Sequence, residues 1–137
     1  MTYNSYPHWV EDLGKFNLTS RLRFKESLKR FNTWRIGGVA ECLIDVVNLE
    51  DLSILISFIH KKNIPWFILG KGSNLLISDR YWPGIILHLS GDFKSWKTYE
   101  KNIELKNTKV RVGAALADVT FAQRCVSEGL TGMEFLI

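Results

Sequence analysis

The sequence predicts an α+β fold in which a β-α-β unit leads into further strands and a second helix. Three observations carry this. From Glu41, the run Cys42, Leu43, Ile44, Asp45, Val46 and Val47 is short and largely apolar, as a buried strand requires. An amphipathic, capped segment follows from Asn48. After Pro65, the residues Trp66, Phe67, Ile68 and Leu69 make a second apolar run. A helix crossing between two such strands predicts that they run parallel.

Taken in order, Trp9 to Phe16 predicts a short helix lying against the main body. Arg21, Leu22, Arg23, Phe24 and Lys25 alternate at period two, and with Lys29 and Arg30 they form the most basic stretch, read as a solvated strand edge in preference to a phosphate-steering patch. Asn48 is the expected N-cap of the first long helix, with Asp51 at N3 and Val47 and Leu52 placed for a hydrophobic staple. Its apolar stripe is Leu49, Leu52, Leu55, Ile56 and Ile59, and Lys61, Lys62 and Asn63 end it. After the second strand, Leu75 to Ser78 reads as extended, Asp79 to Gly84 as a turn and Ile85 to Leu89 as a strand. Ile103 to Leu105 and Lys109 to Val112 predict further strands, joined by polar turns containing Asn102 and Asn107. A last helix is expected from Leu116 to Glu128, with Leu116, Val119, Ala122 and Val126 inward and a stop at Gly129.

The 137 residues, 46% apolar and 12% aromatic, suffice to bury a core, and 18 Lys and Arg against 14 Asp and Glu leave a net charge of +4. That excess suits an anionic nucleotide or an ordinary solvated surface equally, and it points to no nucleic acid. Cys42 and Cys125 stand far apart, without a CxxC pair or a histidine cluster, so no metal site is expected and both read as core residues of a reducing compartment. No signal-like start and no run of about 18 apolar residues occurs, so a cytoplasmic protein with no membrane partner is expected.

Two glycine motifs carry the chemistry. Leu69-Gly70-Lys71-Gly72-Ser73-Asn74-Leu75-Leu76 places two glycines and a hydroxyl directly after an apolar strand, where consecutive N–H groups can cradle phosphate oxygens. The pattern GxxxxGK[ST] fails because Lys71 precedes the second glycine, and GxGxxG fails because Asn74 and Leu75 follow it. Since an extended segment follows, the loop would hold phosphate by backbone alone, without a helix dipole, and a Cβ at Gly72 is expected to intrude on the pyrophosphate. A tight structural turn explains the same residues equally well. The second motif, Asn32-Thr33-Trp34-Arg35-Ile36-Gly37-Gly38, suits close backbone packing and names no reaction; a loop glycine pair needing positive φ is the simpler reading.

Both motifs, in this order around a β-α-β unit, together with Gly113-Ala114-Ala115 and Gly129-Leu130-Thr131-Gly132-Met133-Glu134-Phe135-Leu136, resemble the UDP-N-acetylenolpyruvoylglucosamine reductase family over residues 24 to 137. The resemblance implies a flavoprotein fold of the vanillyl-alcohol-oxidase/PCMH type. Its parts would be an amino-terminal extension (1–30), a first FAD-binding subdomain (31–90) and the start of a second α+β subdomain (91–137). By matching positions, Gly70, Lys71, Gly72, Ser73 and Asn74 would hold the FAD pyrophosphate, with Asn32, Thr33 and Arg35 lining the cofactor cleft. It also implies the family's reaction, in which NADPH reduces FAD and the flavin reduces UDP-N-acetylglucosamine enolpyruvate to UDP-N-acetylmuramate for peptidoglycan.

The family's further glycine-rich FAD segment, its tyrosine-arginine motif and its substrate domain with the catalytic serine and glutamate have no counterpart in these residues. No catalytic residue is therefore assigned, and Arg124 and Ser127 on the last helix do not fill the gap. The alternative function is a non-catalytic remnant or nucleotide-binding fragment; a flavin oxidase of the same superfold is a third reading.

Overall fold

The structure, a computed structural model, describes residues 7–102 and 107–136, and it divides the chain into two compact units, Met1–His88 and Leu89–Ile137. The residues expected as an amino-terminal extension are built into the first unit. They supply helix α1 (His8–Leu13), whose Trp9 and Leu13 are buried, and strand β1 (Arg21–Ser27). β1 is an edge strand of a four-stranded sheet ordered β1-β2-β4-β3, with β2 at Val39–Val46, β3 at Trp66–Leu69 and β4 at Trp82–Leu89.

β1 pairs antiparallel with β2, and β3 pairs parallel with β4 in the register Leu69↔His88. His88 Nδ1 lies 2.9 Å from Asp45 Oδ1, so the carboxyl ends of β2 and β4 lie side by side and the two strands run the same way. The expected parallel relation of the two apolar runs therefore holds, but they are not neighbours: β4 inserts between them. Burial explains the order. Ile85, Ile86 and Leu87 are buried and demand cover on both faces, while the four-residue β3, with Phe67 and Ile68 largely exposed, tolerates the edge.

Helix α2 (Leu49–Lys62) links β2 to β3. The Asn48 side chain accepts the Asp51 N–H at 2.8 Å, and Asn63 closes the helix in the left-handed conformation. The buried stripe is Asp51, Leu55, Phe58 and Ile59, which corrects the expectation that Leu49 faces inward; it is 72% exposed. Asp51 takes an inward place in the first turn because its carboxylate accepts the Ser20 N–H and hydroxyl at 2.7 and 2.6 Å. Phe58 is buried beside Phe16, whose ring centre lies 5.2 Å away.

Two further expectations are corrected after β3. Leu75 to Ser78 joins no ladder; Leu75 and Ile77 instead pack on a core cluster of Leu28, Ala40, Leu43, Leu69 and Ile86. β4 begins at Trp82, inside the segment expected as a turn. Gly84 is there for close approach, since a Cβ would overlap the Pro65 carbonyl, which accepts the Ile85 N–H at 2.9 Å.

The second unit holds an antiparallel hairpin of β5 (Trp96–Asn102) and β6 (Asn107–Val112) with helix α3 (Asp118–Ser127). β5 was not anticipated, and the expected strand Ile103 to Leu105 lies outside the described residues. Trp96 packs 5.5 Å from the Phe121 ring, and its indole N–H and the Thr98 hydroxyl donate to Glu128, each at 2.9 Å. Ala122 and Cys125 are the buried residues of α3, while Val119 and Val126 are exposed, which corrects their inward placement. The hairpin meets α3 at Phe121 and Glu128, and those two valines are exposed away from these contacts. As expected, the chain stops its helix at Gly129, at φ +68. No helix among the described residues is long and apolar enough to cross a membrane.

Candidate functional site

The carboxyl ends of β2, β3 and β4 point to one end of the sheet, where two loops meet. The first, Gly70 to Tyr81, follows β3; the second runs from a 3-10 turn at Leu28–Phe31 through Gly38. This second loop leaves β1 and enters β2 at the amino end of β2, where Ser27 pairs with Val39, and its Phe31 ring, 5.6 Å from His88, brings its middle to the carboxyl end. In open parallel sheets this is the end at which ligands bind, because the strands stop and the loops there are free to vary.

Glycines let these loops touch. The Thr33 N–H donates to the Gly72 carbonyl at 3.4 Å, and a Cβ on Gly72 (φ +66) would overlap the Phe31 carbonyl and crowd Asn32. In return, the Gly38 N–H donates to the Ser78 carbonyl at 2.8 Å and the Gly37 N–H to the Asp79 carboxylate at 3.1 Å. A Cβ on Gly38 would overlap the Arg80 carbonyl. Gly72 is thus buried against protein, which corrects the expectation that its Cβ would meet the pyrophosphate. Gly70 is the open one: a Cβ there meets nothing within 4 Å.

Asn32 is buried and spends its amide on its own loop. Its Nδ2 donates to the carbonyls of Leu28 at 2.9 Å and Ile36 at 2.6 Å, and its Oδ1 accepts the Ile36 N–H at 3.4 Å. This makes Asn32 a clamp that shapes the loop, leaving Thr33, Trp34 and Arg35 exposed beyond it. Arg35 adopts φ +54, a left-handed conformation uncommon for a side chain of its size.

In the other loop Gly70, Lys71, Ser73 and Asn74 are exposed, and the N–H groups of Lys71 to Asn74 donate to no acceptor among the described residues. Backbone N–H groups free of protein acceptors beside an open glycine are what a phosphate needs. The sequence reading therefore selects residues that the fold brings together. It missed Phe31, which packs on His88 and under Gly72, because an aromatic residue in a basic stretch gives no local sign of its partner. It also missed Asp79, which holds Gly37 from 42 positions away.

Below the loops, Asp45 accepts from Arg23 Nε and Nη2 at 2.9 and 2.7 Å and contacts His88. Burial alone would raise the Asp45 carboxyl, but the hydrogen bonds and charges of Arg23 and His88 outweigh it and hold the group below its ordinary value. Burial pushes the Cys42 thiol up to about 12, so it is no nucleophile. Arg124 and Ser127 form no site either; the Ser127 hydroxyl donates to the Arg124 carbonyl at 2.9 Å within an exposed helix turn.

No family model matches the sequence. Relatives, however, are plain. A UDP-N-acetylenolpyruvoylglucosamine reductase 2 of Symbiobacterium thermophilum is 36% identical over 115 residues, which is 84% of this chain and 35% of that protein. A UDP-N-acetylenolpyruvoylglucosamine reductase of Paramagnetospirillum magneticum is 30% identical over 136 residues, 99% of this chain and 41% of the relative. The crystal structure of the UDP-N-acetylenolpyruvylglucosamine reductase of Thermus caldophilus superposes with a TM-score of 0.60 at 27% identity, covering 88% of this chain and 38% of that one. The chain belongs to the UDP-N-acetylenolpyruvoylglucosamine reductase family, over part of that family's length. It spans 35% and 41% of the two reductases just named, so these residues are the family's equivalent of well under half an enzyme.

Proposed function

We propose that this chain supplies the FAD-binding part of an NADPH-dependent oxidoreductase that converts UDP-N-acetylglucosamine enolpyruvate to UDP-N-acetylmuramate in peptidoglycan synthesis, within the PCMH-type fold that its family resemblance implies. The observation that carries the reading is the set of unpaired backbone N–H groups from Lys71 to Asn74, which follow β3 and are backed by the Asn32 loop, with Lys71, Ser73 and Asn74 exposed and Gly72 buried. These residues fit a dinucleotide pyrophosphate. Gly70 leaves open space for close approach, the free N–H groups are donors without competitors, and the Ser73 hydroxyl and Asn74 amide stand exposed beside them.

In this reading Lys71 to Asn74 bind the pyrophosphate through the backbone, and Asn32 holds Thr33 and Arg35 at the rim of the cofactor cleft. FAD, when bound, supplies the hydride chemistry of the reductase. Proton donation to the product and stabilisation of the enolate belong to family segments that these 137 residues do not match, so the chain's own share is to bind and orient. As domains, residues 31–90 would be the first FAD-binding subdomain and residues 91–137 the beginning of the second, and a cytoplasmic location follows from the substrate.

The test is reconstitution. Purified chain titrated with FAD is expected to quench flavin fluorescence, and Gly70→Val is expected to weaken binding at least tenfold with an unchanged circular dichroism spectrum. Equal binding of FAD by wild type and Gly70→Val would overturn the assignment of the loop. A chain that binds FAD yet supports no turnover would match the second reading, a nucleotide-binding fragment without catalysis.

A further inference from the structure

Lys29, Arg30, Asn32 and Arg35 line a cleft of about 410 Å³, and the family motifs give Lys29 and Arg30 no role. No acidic residue occurs between Ser27 and Ala40. Within that run the fold sets three cations around one opening, and none of the three forms an ion pair among the described residues. By contrast Arg23 and Lys25, on the neighbouring strand, are each paired with a carboxylate at 2.7 Å.

The cleft is organised from beneath. The Asn32 amide ties the Leu28 carbonyl on one side to the Ile36 carbonyl on the other, so the limb bearing Lys29 and Arg30 and the limb bearing Arg35 are held by one buried group. The Arg35 N–H closes the turn onto the Asn32 carbonyl at 3.3 Å. Arg35 takes a left-handed backbone that glycine would adopt without strain, and its side chain lines the cleft. Asn32 also forms the wall against Gly72, so the cleft and the free N–H groups of the glycine loop share one partition.

We propose that Lys29, Arg30 and Arg35 form a second phosphate-recognition cleft beside the glycine loop, taking a phosphate of a nucleotide diphosphate such as those of FAD or NADPH. The inference rests on the nucleotide-binding reading of the neighbouring loop; it adds Lys29 and Arg30 to that reading and gives Arg35, at the rim, a stated phosphate-binding part. Side-chain cations supply long-range attraction and bidentate contacts, whereas the glycine loop supplies only short-range N–H donors. Removing the cations therefore weakens phosphate binding in a salt-dependent way and leaves any phosphate-free contact with the flavin ring unchanged.

The experiment is calorimetric titration of the 137-residue chain with inorganic pyrophosphate, ADP, FAD, NADPH and riboflavin, the last being the phosphate-free control. The variant Lys29→Gln/Arg30→Gln/Arg35→Gln removes the cleft's charge. Lys61→Gln/Lys94→Gln/Lys97→Gln removes the same charge elsewhere, and circular dichroism checks that both fold. The cleft variant is expected to bind pyrophosphate and ADP at least tenfold more weakly, with its salt dependence reduced, while the control variant stays within twofold of wild type. FAD or NADPH is identified as the natural source by which of them loses affinity in the cleft variant, riboflavin being unaffected. No pyrophosphate binding by wild type, a cleft variant within twofold of wild type, or an equal loss in the control variant would each overturn the proposal. Pyrophosphate bound through the three cations without any FAD binding would remove the flavin reading and leave the cleft standing. FAD and NADPH both bound equally by wild type and cleft variant would do the reverse.

Discussion

At the scale of single residues, the glycines of this protein divide by what a Cβ would touch. Gly72 has φ +66 and lies against the Phe31 carbonyl and Asn32, so Gly72→Ala strains its own backbone and drives the two loops apart. It is expected to destabilise the protein by about 1–3 kcal/mol, measured by urea unfolding, and to weaken FAD as a consequence. Gly70→Val differs because its side chain meets only open space. Comparing the two separates a lost ligand contact from a disturbed loop: lowered stability for Gly70→Val, or unchanged stability for Gly72→Ala, would contradict this division. Asn32→Ala strips both the Leu28 and Ile36 carbonyls of their donor, and the expected loss is about 1–3 kcal/mol.

At the scale of elements, helix α2 is held at its start by more than its cap. Asn48 satisfies the Asp51 N–H, while the Asp51 carboxylate accepts from Ser20, whose hydroxyl in turn accepts the Val47 N–H at 3.1 Å. The first turn of α2 is thereby stapled to the segment before β1. Asn48→Ala is expected to lower stability by about 1 kcal/mol. Asp51→Ala leaves two buried donors without an acceptor, and its expected cost is about 2–3 kcal/mol. Chemical denaturation of both variants checks the order, and equal losses would mean that Asp51 acts only as a first-turn charge on the helix dipole. In the second unit, Glu128 plays the corresponding part by receiving Trp96 and Thr98 from the hairpin.

At the scale of the molecule, two lowered carboxyls contribute to the response to acid, Asp45 more than the solvent-screened Asp12. Asp12 is held at about 2 by its hydrogen bonds and charge pairing with Lys15 and Lys62, and Asp45 is held low by Arg23 and His88 against the effect of burial. A carboxyl lowered in the folded state contributes stability that is complete above its unfolded pKa of about 4 and is lost as pH falls through the folded value. Denaturation midpoints are therefore expected to fall between pH 5 and pH 2, and Arg23→Gln should flatten that fall by removing a cause of the Asp45 shift. Steeper acid loss in Arg23→Gln would contradict this account. Activity is also decided at this scale. Assayed alone, the chain is expected to give no NADPH oxidation dependent on the enolpyruvyl substrate, since a positioned acid and enolate stabilisation are each worth roughly a hundredfold to ten-thousandfold. Turnover within tenfold of a complete reductase would refute it.

Local chemistry made much of this protein legible in its sequence. The Asn48 cap, the Asn63 stop and the α3 stop at Gly129 depend on neighbours a few residues away, so spacing alone specifies them, whereas the period-two alternation of Arg21 to Lys25 did not survive into the burial of β1. The ordered glycine motifs were likewise readable and pointed to the family to which the relatives belong. Tertiary structure decided what depends on distant partners. β4 displaced β3 from the side of β2 because strand order is set by which faces need burial on both sides. Asp51 turned inward because Ser20, 31 residues earlier, satisfies its charge. Gly72 proved to be a packing glycine and Gly70 the open one, because only the folded chain brings Phe31 beneath one of two glycines that look alike in sequence. Hydrogen bonds to near neighbours are written in the order of residues, whereas burial is a property of the whole assembly of strands and loops.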